Sequence, residues 1–125
     1  MSNLALGEAY LQAWDNKDIS AIASYLHPDV CFLGPMTKLS GKEAIMESVK
    51  RLLPLLKSLK VQSKFASGDQ AIFTYEFICP EPINVCRTAE LITFKDGLIV
   101  AIELFFDARP FEKLAQAQKQ KAQQS

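Results

Sequence analysis

The chain has 125 residues, with 14 basic and 14 acidic side chains, one histidine and a hydrophobic share of 49%. That length fits one domain, and that apolar content excludes a disordered chain. Zero net charge supplies no attraction toward phosphate, which argues against nucleic acid or an anionic membrane as partner, and a neutral, apolar-rich chain tends to self-associate.

Residues 4–15 place Leu6, Tyr10, Ala13 and Trp14 at helical spacing, with Asn3 positioned to cap the start. Asp18 caps a second helix over 19–26, which His27-Pro28 ends because the residue before proline leaves the helical region. A short strand over 30–33 runs into Gly34-Pro35. Ser40-Gly41-Lys42-Glu43 reads as a capping box, so a third helix starts at Gly41. Its inner stripe is Ile45, Val49, Leu52, Leu53 and Leu56; Glu47 and Arg51 form an i,i+4 pair outside, and Pro54 ends or kinks it.

After Ser58 the period becomes two. Strands are predicted over 61–66, 71–79, 85–95 and 98–107, with turns at Gly68-Asp69 and Asp96-Gly97 and a break at Pro80-Glu81-Pro82. Residues 110–117 read as a short helix, and the end QAQKQKAQQS is expected to fray. The whole is an α+β domain over 1–114, three helices followed by an antiparallel meander, with a polar tail over 115–125.

No leader-like or membrane-spanning pattern is present. The start lacks a basic segment with an apolar run, and the most apolar stretch, 97–106, is broken by Glu103 and far short of the roughly 20 residues a span needs. Cys31, Cys79 and Cys86 show no CxxC spacing, as expected of reduced thiols in a cytoplasmic protein. One histidine makes a zinc site improbable, so neither metal nor cofactor is expected.

Alternation splits each strand into two faces. The last strand is apolar on one face and mostly apolar on the other. One face is therefore expected under the helices. The other, carrying Ile72, Ile78, Ile99, Ala101 and Phe105 with Glu76, Arg87 and Glu103 interspersed, is expected under a second copy of the chain. Glu90 lies between Thr88 and Ile92 on the inward face, where a carboxylate is costly unless paired or neutral.

The segments AYLQAWDNKDISAIASYLHPDV, GPMTKLSGKEAI, FKDGLIVAIELFFD and ARPFEKL, in that order, resemble the nuclear transport factor 2-like superfamily, in particular its SnoaL-like and ketosteroid isomerase-like members. The resemblance spans residues 4–114. It implies a cone of curved antiparallel sheet wrapped around the helices, an apolar cavity inside and a dimer through the outer sheet face. It also implies that Tyr10 falls on the isomerases' catalytic tyrosine and Glu90 on their protonated aspartate. Their general-base aspartate falls on Gly34, a departure that leaves isomerisation without its base. Arg87 faces away from Glu90, so the acid-base constellation of limonene epoxide hydrolases is absent.

Tyr10 and Glu90 are accordingly the candidate catalytic pair. The expected pocket lining is Trp14, Phe32, Met36, Phe73, Tyr75, Phe77, Ile92, Phe94, Leu104 and Phe106, and the expected ligand is a hydrophobic small molecule. Two readings stay open. One is a SnoaL-like isomerase, cyclase or hydratase acting on an apolar carbonyl compound by proton transfer; the other is a non-catalytic ligand-binding or dimerisation module. His27 is read as a solvated loop residue, Asp107 and Arg109 as a structural ion pair, and the cysteines as inert. Residues 38–64 hold seven basic and two acidic side chains. This reads as a solvated helix face, because no aromatic side chains are interleaved to stack on bases.

Overall fold

Ser2, rather than Asn3, starts the first helix: its hydroxyl accepts the Ala5 N–H at 3.1 Å, and α1 spans Asn3–Asp15. Asp18 caps α2 (Ile19–Ser24) by accepting the Ala21 N–H at 3.0 Å. The computed structural model describes the backbone of residues 1–124 and the side-chain surroundings of residues 1–120. β1 (Leu26–Leu33) and the short β2 (Lys38–Ser40) follow, then α3 (Lys42–Leu52), a 3-10 turn at Leu53–Leu55, β3 (Ser58–Ser67), β4 (Gln70–Ile78), β5 (Val85–Lys95), β6 (Leu98–Phe105) and α4 (Arg109–Gln124).

Several local expectations change. Ser40 belongs to β2, so no capping box forms; Gly41 caps α3 with φ 91° and no side-chain bond. Glu47 meets Lys50 at 3.9 Å rather than Arg51, an exposed contact of little energetic weight. β2 is too short to announce itself by alternation. Residues after Leu114 continue as helix to Gln124 instead of fraying, because alanine, glutamine and lysine are strong helix formers and neither glycine nor proline interrupts them. Ser125 lies outside the described residues.

The sheet order is β2-β1-β6-β5-β4-β3. β3 to β6 form an antiparallel meander, while β1 pairs with β6 in parallel because the chain leaves β1 through β2 and α3 and regains the sheet only at β3. Asp96 and Gly97 turn β5 into β6 with φ of 53° and 77°, the left-handed pair that a type I′ hairpin needs.

The inner face runs through Phe73, Tyr75, Phe77, Thr88, Glu90 and Ile92, all buried. Simple alternation fails on β6. Thr93 pairs with Ala101 but Phe94 pairs with Ile99, so Val100 is an extra residue in the ladder. The bulge turns Ile99 inward beside Phe94, where it is fully buried. Ile99 therefore leaves the proposed outer face, while Ile72, Ile78, Ala101 and Phe105 stay on it. A second bulge at Gln62 in β3 adds to the bend of the sheet around the helices.

One contact sets how closely α1 sits on the sheet. A Cβ at Gly7 would collide with the ring of Phe73, which is fully buried and cannot swing aside, and would also press on Phe94. Farther along, Asp15 Oδ1 accepts the Leu59 N–H at 2.8 Å and pins the end of α1 to β3. Gly7→Ala gains about 1 kcal/mol in helix propensity but overpacks a filled core, which costs about 1–3 kcal/mol. We expect the variant to be the less stable protein in urea unfolding; a higher midpoint would show that the interlock is absent.

Candidate functional site

Beyond that interlock the cone is not filled. A cavity of about 190 Å³ lies between α1, α3 and the inner sheet face. For scale, a dry cavity of about 150 Å³ holds benzene. Trp14, Phe32, Met36, Tyr75, Phe77, Leu104 and Phe106 line it together with Tyr10 and Glu90. Phe73, Ile92 and Phe94 do not. Phe73 and Phe94 pack under Gly7 and Ile92 is fully buried beside the lining, and alternation alone could not separate them, since both sets share one face of the sheet. Thr37, Ser48, Thr88, Cys86 and Phe111 also line the cavity and were not singled out from the sequence.

Glu90 is only 4% exposed. Across the ladder it faces Phe73 on β4 and Leu104 on β6, so neither direct neighbour offers a hydrogen bond. Its partner comes from the diagonal: Tyr75 donates its hydroxyl to Glu90 Oε1 at 2.6 Å. The hydrogen bond to Glu90 thus comes from Tyr75, while Tyr10 lines the same cavity. Finding this from the sequence requires the β4–β5 register, which sets Tyr75 opposite Thr88 and two residues from Glu90's own partner.

Glu90 Oε2 is buried and has no hydrogen-bond partner among the described residues. Burial pushes the carboxyl up to about 7 from 4.5, and the hydrogen bond from Tyr75 offsets only part of that. Near neutrality a substantial fraction is therefore protonated, with Oε1 accepting from Tyr75 and the buried Oε2 left without a partner among the described residues. Tyr10 and Tyr75 are both held above the usual phenol range, first by burial and then by the neighbouring Glu90, so both remain neutral donors. Trp14 packs edge-on to Phe77, with ring centres 6.3 Å apart, and stiffens the wall beside them.

Gly34 does line the cavity, and its N–H donates to the Thr37 carbonyl at 2.9 Å, closing a turn that leaves Met36 46% exposed at the mouth. Glu90 is the only Asp, Glu, His, Lys or Arg in the lining among the described residues. His27 lies outside the lining, its Nδ1 accepting the Asp29 N–H at 3.0 Å. Burial raises the Cys86 thiol and takes Cys79 to about 11, so neither is an activated nucleophile. The arrangement can donate hydrogen bonds to an oxygen, but among the described residues its lining contains no second carboxylate, histidine or lysine to serve as base, and burial holds the Tyr10 and Tyr75 hydroxyls and the Cys86 thiol protonated.

The sequence matches the SnoaL-like domain family over residues 8–102. The chain belongs to that family. No curated protein matches it. Among solved structures, a protein from Kribbella flavida is 24% identical with a TM-score of 0.84, covering 94% of this chain and 96% of its own. A nuclear transport factor 2-like protein of unknown function from Cytophaga hutchinsonii is 20% identical with a TM-score of 0.78, covering 89% and 95%. A candidate ketosteroid isomerase from Kribbella flavida is 17% identical with a TM-score of 0.76, covering 84% and 77%. At these identities the likeness establishes the nuclear transport factor 2-like fold of this SnoaL-like domain and nothing of its chemistry.

The raised carboxyl has a consequence for folding. At pH below 4.5, Glu90 is protonated in both folded and unfolded chains and contributes no difference. Between 4.5 and about 7 the unfolded chain releases this proton first, so rising pH favours unfolding. The penalty saturates above about 7, on the order of 3 kcal/mol. Glu90→Gln removes it. Unfolding free energies of wild type and variant should therefore diverge in favour of the variant between pH 4.5 and 7. Parallel curves across that window would show that Glu90 is not buried as described.

Proposed function

We propose that this protein binds an uncharged, largely apolar carbonyl compound, with Glu90 donating its proton or a hydrogen bond to the carbonyl oxygen. The observation that carries the reading is Glu90 itself, the one carboxyl among the described residues that line a largely apolar cavity, with its buried Oε2 unpartnered. A ligand oxygen there would satisfy a group that otherwise stays desolvated and alone. A carboxylate ligand would find no cation in the lining, which is why the ligand is written as uncharged.

Whether binding leads to turnover depends on a base. Proton transfer of the isomerase, cyclase or hydratase kind needs a group to take a proton as well as one to give it. Among the described residues the lining has no second carboxylate, histidine or lysine, which supports the non-catalytic reading, in which the pocket holds its ligand without converting it. A naphthyl ketone whose fluorescence responds to polarity serves as the binding probe. Affinity should fall as pH rises through 7, because ionised Glu90 loses its donor, and Glu90→Leu should weaken binding about tenfold, the loss of one hydrogen bond from a buried group. Equal affinity in both proteins would remove Glu90 from the site. Deuterium uptake at the ketone's α-carbon separates the two readings: acceleration that disappears in the Glu90 variant supports catalysis, and binding without acceleration supports a carrier.

We further infer that a second copy of the chain covers the outer sheet face. Register places Leu33, Phe65, Val85 and Phe105 on that face, and they are 47%, 66%, 49% and 50% exposed. Half-buried Ile72, Ile78 and Leu91 continue the patch. So large an apolar surface is characteristic of an interface rather than of a solvated monomer. Sedimentation velocity should find a dimer that Phe105→Lys converts to monomer while leaving the cavity's ketone binding in place. A wild-type monomer at micromolar concentration would overturn the inference.

A further inference from the structure

The last wall of the cavity comes from an element that the sheet does not hold. β6 ends at Phe105, and α4 departs through a turn in which Asp107 takes three hydrogen bonds from Arg109. The Arg109 N–H and Nε donate to Oδ1 at 3.0 and 2.9 Å, and Nη2 donates to Oδ2 at 2.7 Å. Both side chains are exposed, so this fork sets the direction of α4 without burying it. Beyond Arg109, no side-chain hydrogen bond or ion pair joins α4 to another element among the described residues. Its apolar contact with the core is made by Phe111 and Leu114, each only half-buried, and the helix surface is exposed from Ala115 to Gln120.

Phe111 meets Phe106 edge-on with ring centres 5.5 Å apart, and both rings line the cavity. The rest of the lining rides on α1, α3, the sheet strands or the short Gly34–Thr37 turn, all held by ladder bonds, backbone turns or deep burial. Moving α4 breaks no ladder bond and separates two half-buried side chains from the body, which puts this opening at the low-stability end of the fold's motions.

We infer that α4 is a lid: it pivots at residues 107–109 and lifts Phe111 from Phe106 to admit ligand. The inference rests on the pocket reading for what the lid admits, but not for whether the lid moves. That motion can be measured without ligand. Trp14, the only tryptophan in the chain, sits in the cavity wall and is 9% exposed, so collisional quenching by acrylamide reports opening of the cavity.

In the full-length chain, Asp107→Ala frees the pivot without touching the lining and should raise the Trp14 quenching constant about two- to fivefold, as expected from losing an exposed ion pair. Phe111→Ala should raise it further. By hydrogen exchange, amides 109–116 should exchange well ahead of those in β4 and β5. Quenching at wild-type level in Asp107→Ala, or α4 amides that exchange only together with the strands, overturns the lid; the Asp107 variant keeps the test intact if Phe111→Ala fails to fold. If the naphthyl ketone does not bind at all, the pocket reading fails while the quenching result still stands. If it binds wild type and Asp107→Ala with equal on-rates, the lid fails and the pocket survives.

Discussion

The fit of Gly7 over the Phe73 ring governs the interior. A helix crossing a curved sheet must either leave space beneath it or fill that space with side chains. At Gly7 the absence of a Cβ lets the backbone itself close the gap, and Phe73, Ile92, Phe94 and Ile99 complete a dry plug at that end. Asp15, bonded to β3 at the other end of α1, fixes the helix's tilt. With one end shut by packing and the helix held at the other, the cavity opens toward Trp14 and the β1–β2 turn. The cavity is therefore what the plug leaves over, and Glu90 stands where the two regions meet.

That position explains the chemistry of the carboxyl. Its ladder neighbours, Phe73 and Leu104, are apolar, so solvation must come from a diagonal partner or from the cavity. Tyr75 supplies one hydrogen bond; the second oxygen is buried without a partner among the described residues. Desolvation then outweighs the single bond and holds the proton on near neutral pH. The same wall that makes the acid weak also keeps both tyrosines in their neutral, donating form.

Much of this was legible in the sequence, for identifiable reasons. Period-two alternation over the meander strands separated inner from outer residues, and a glutamate between Thr88 and Ile92 stood out against an apolar face. What remained hidden depends on pairing between distant segments. The Val100 bulge shifts Ile99 from one face to the other, and nothing in LIVAIELF announces it, because every residue around the insertion is apolar. Tyr75 rather than Tyr10 as the partner of Glu90 follows from cross-strand register. The division of the inner face into plug and cavity follows from the height of α1, which rests on one glycine that helical spacing treats as neutral. The Ser40–Glu43 pattern misled for the opposite reason: it is a strong local signal overridden when Ser40 joined β2.

The turn from Gly34 to Thr37 and the three-residue β2 beside it occupy the sheet's edge, with Met36 exposed at the opening. Lengthening or re-lettering such a turn disturbs neither the plug nor the meander, since its closing bond is local. The fold thus separates the part that must stay constant to fold from the part that decides what fits. Ligand preference in this architecture is free to diversify through a handful of edge residues while the scaffold beneath them keeps one sequence solution.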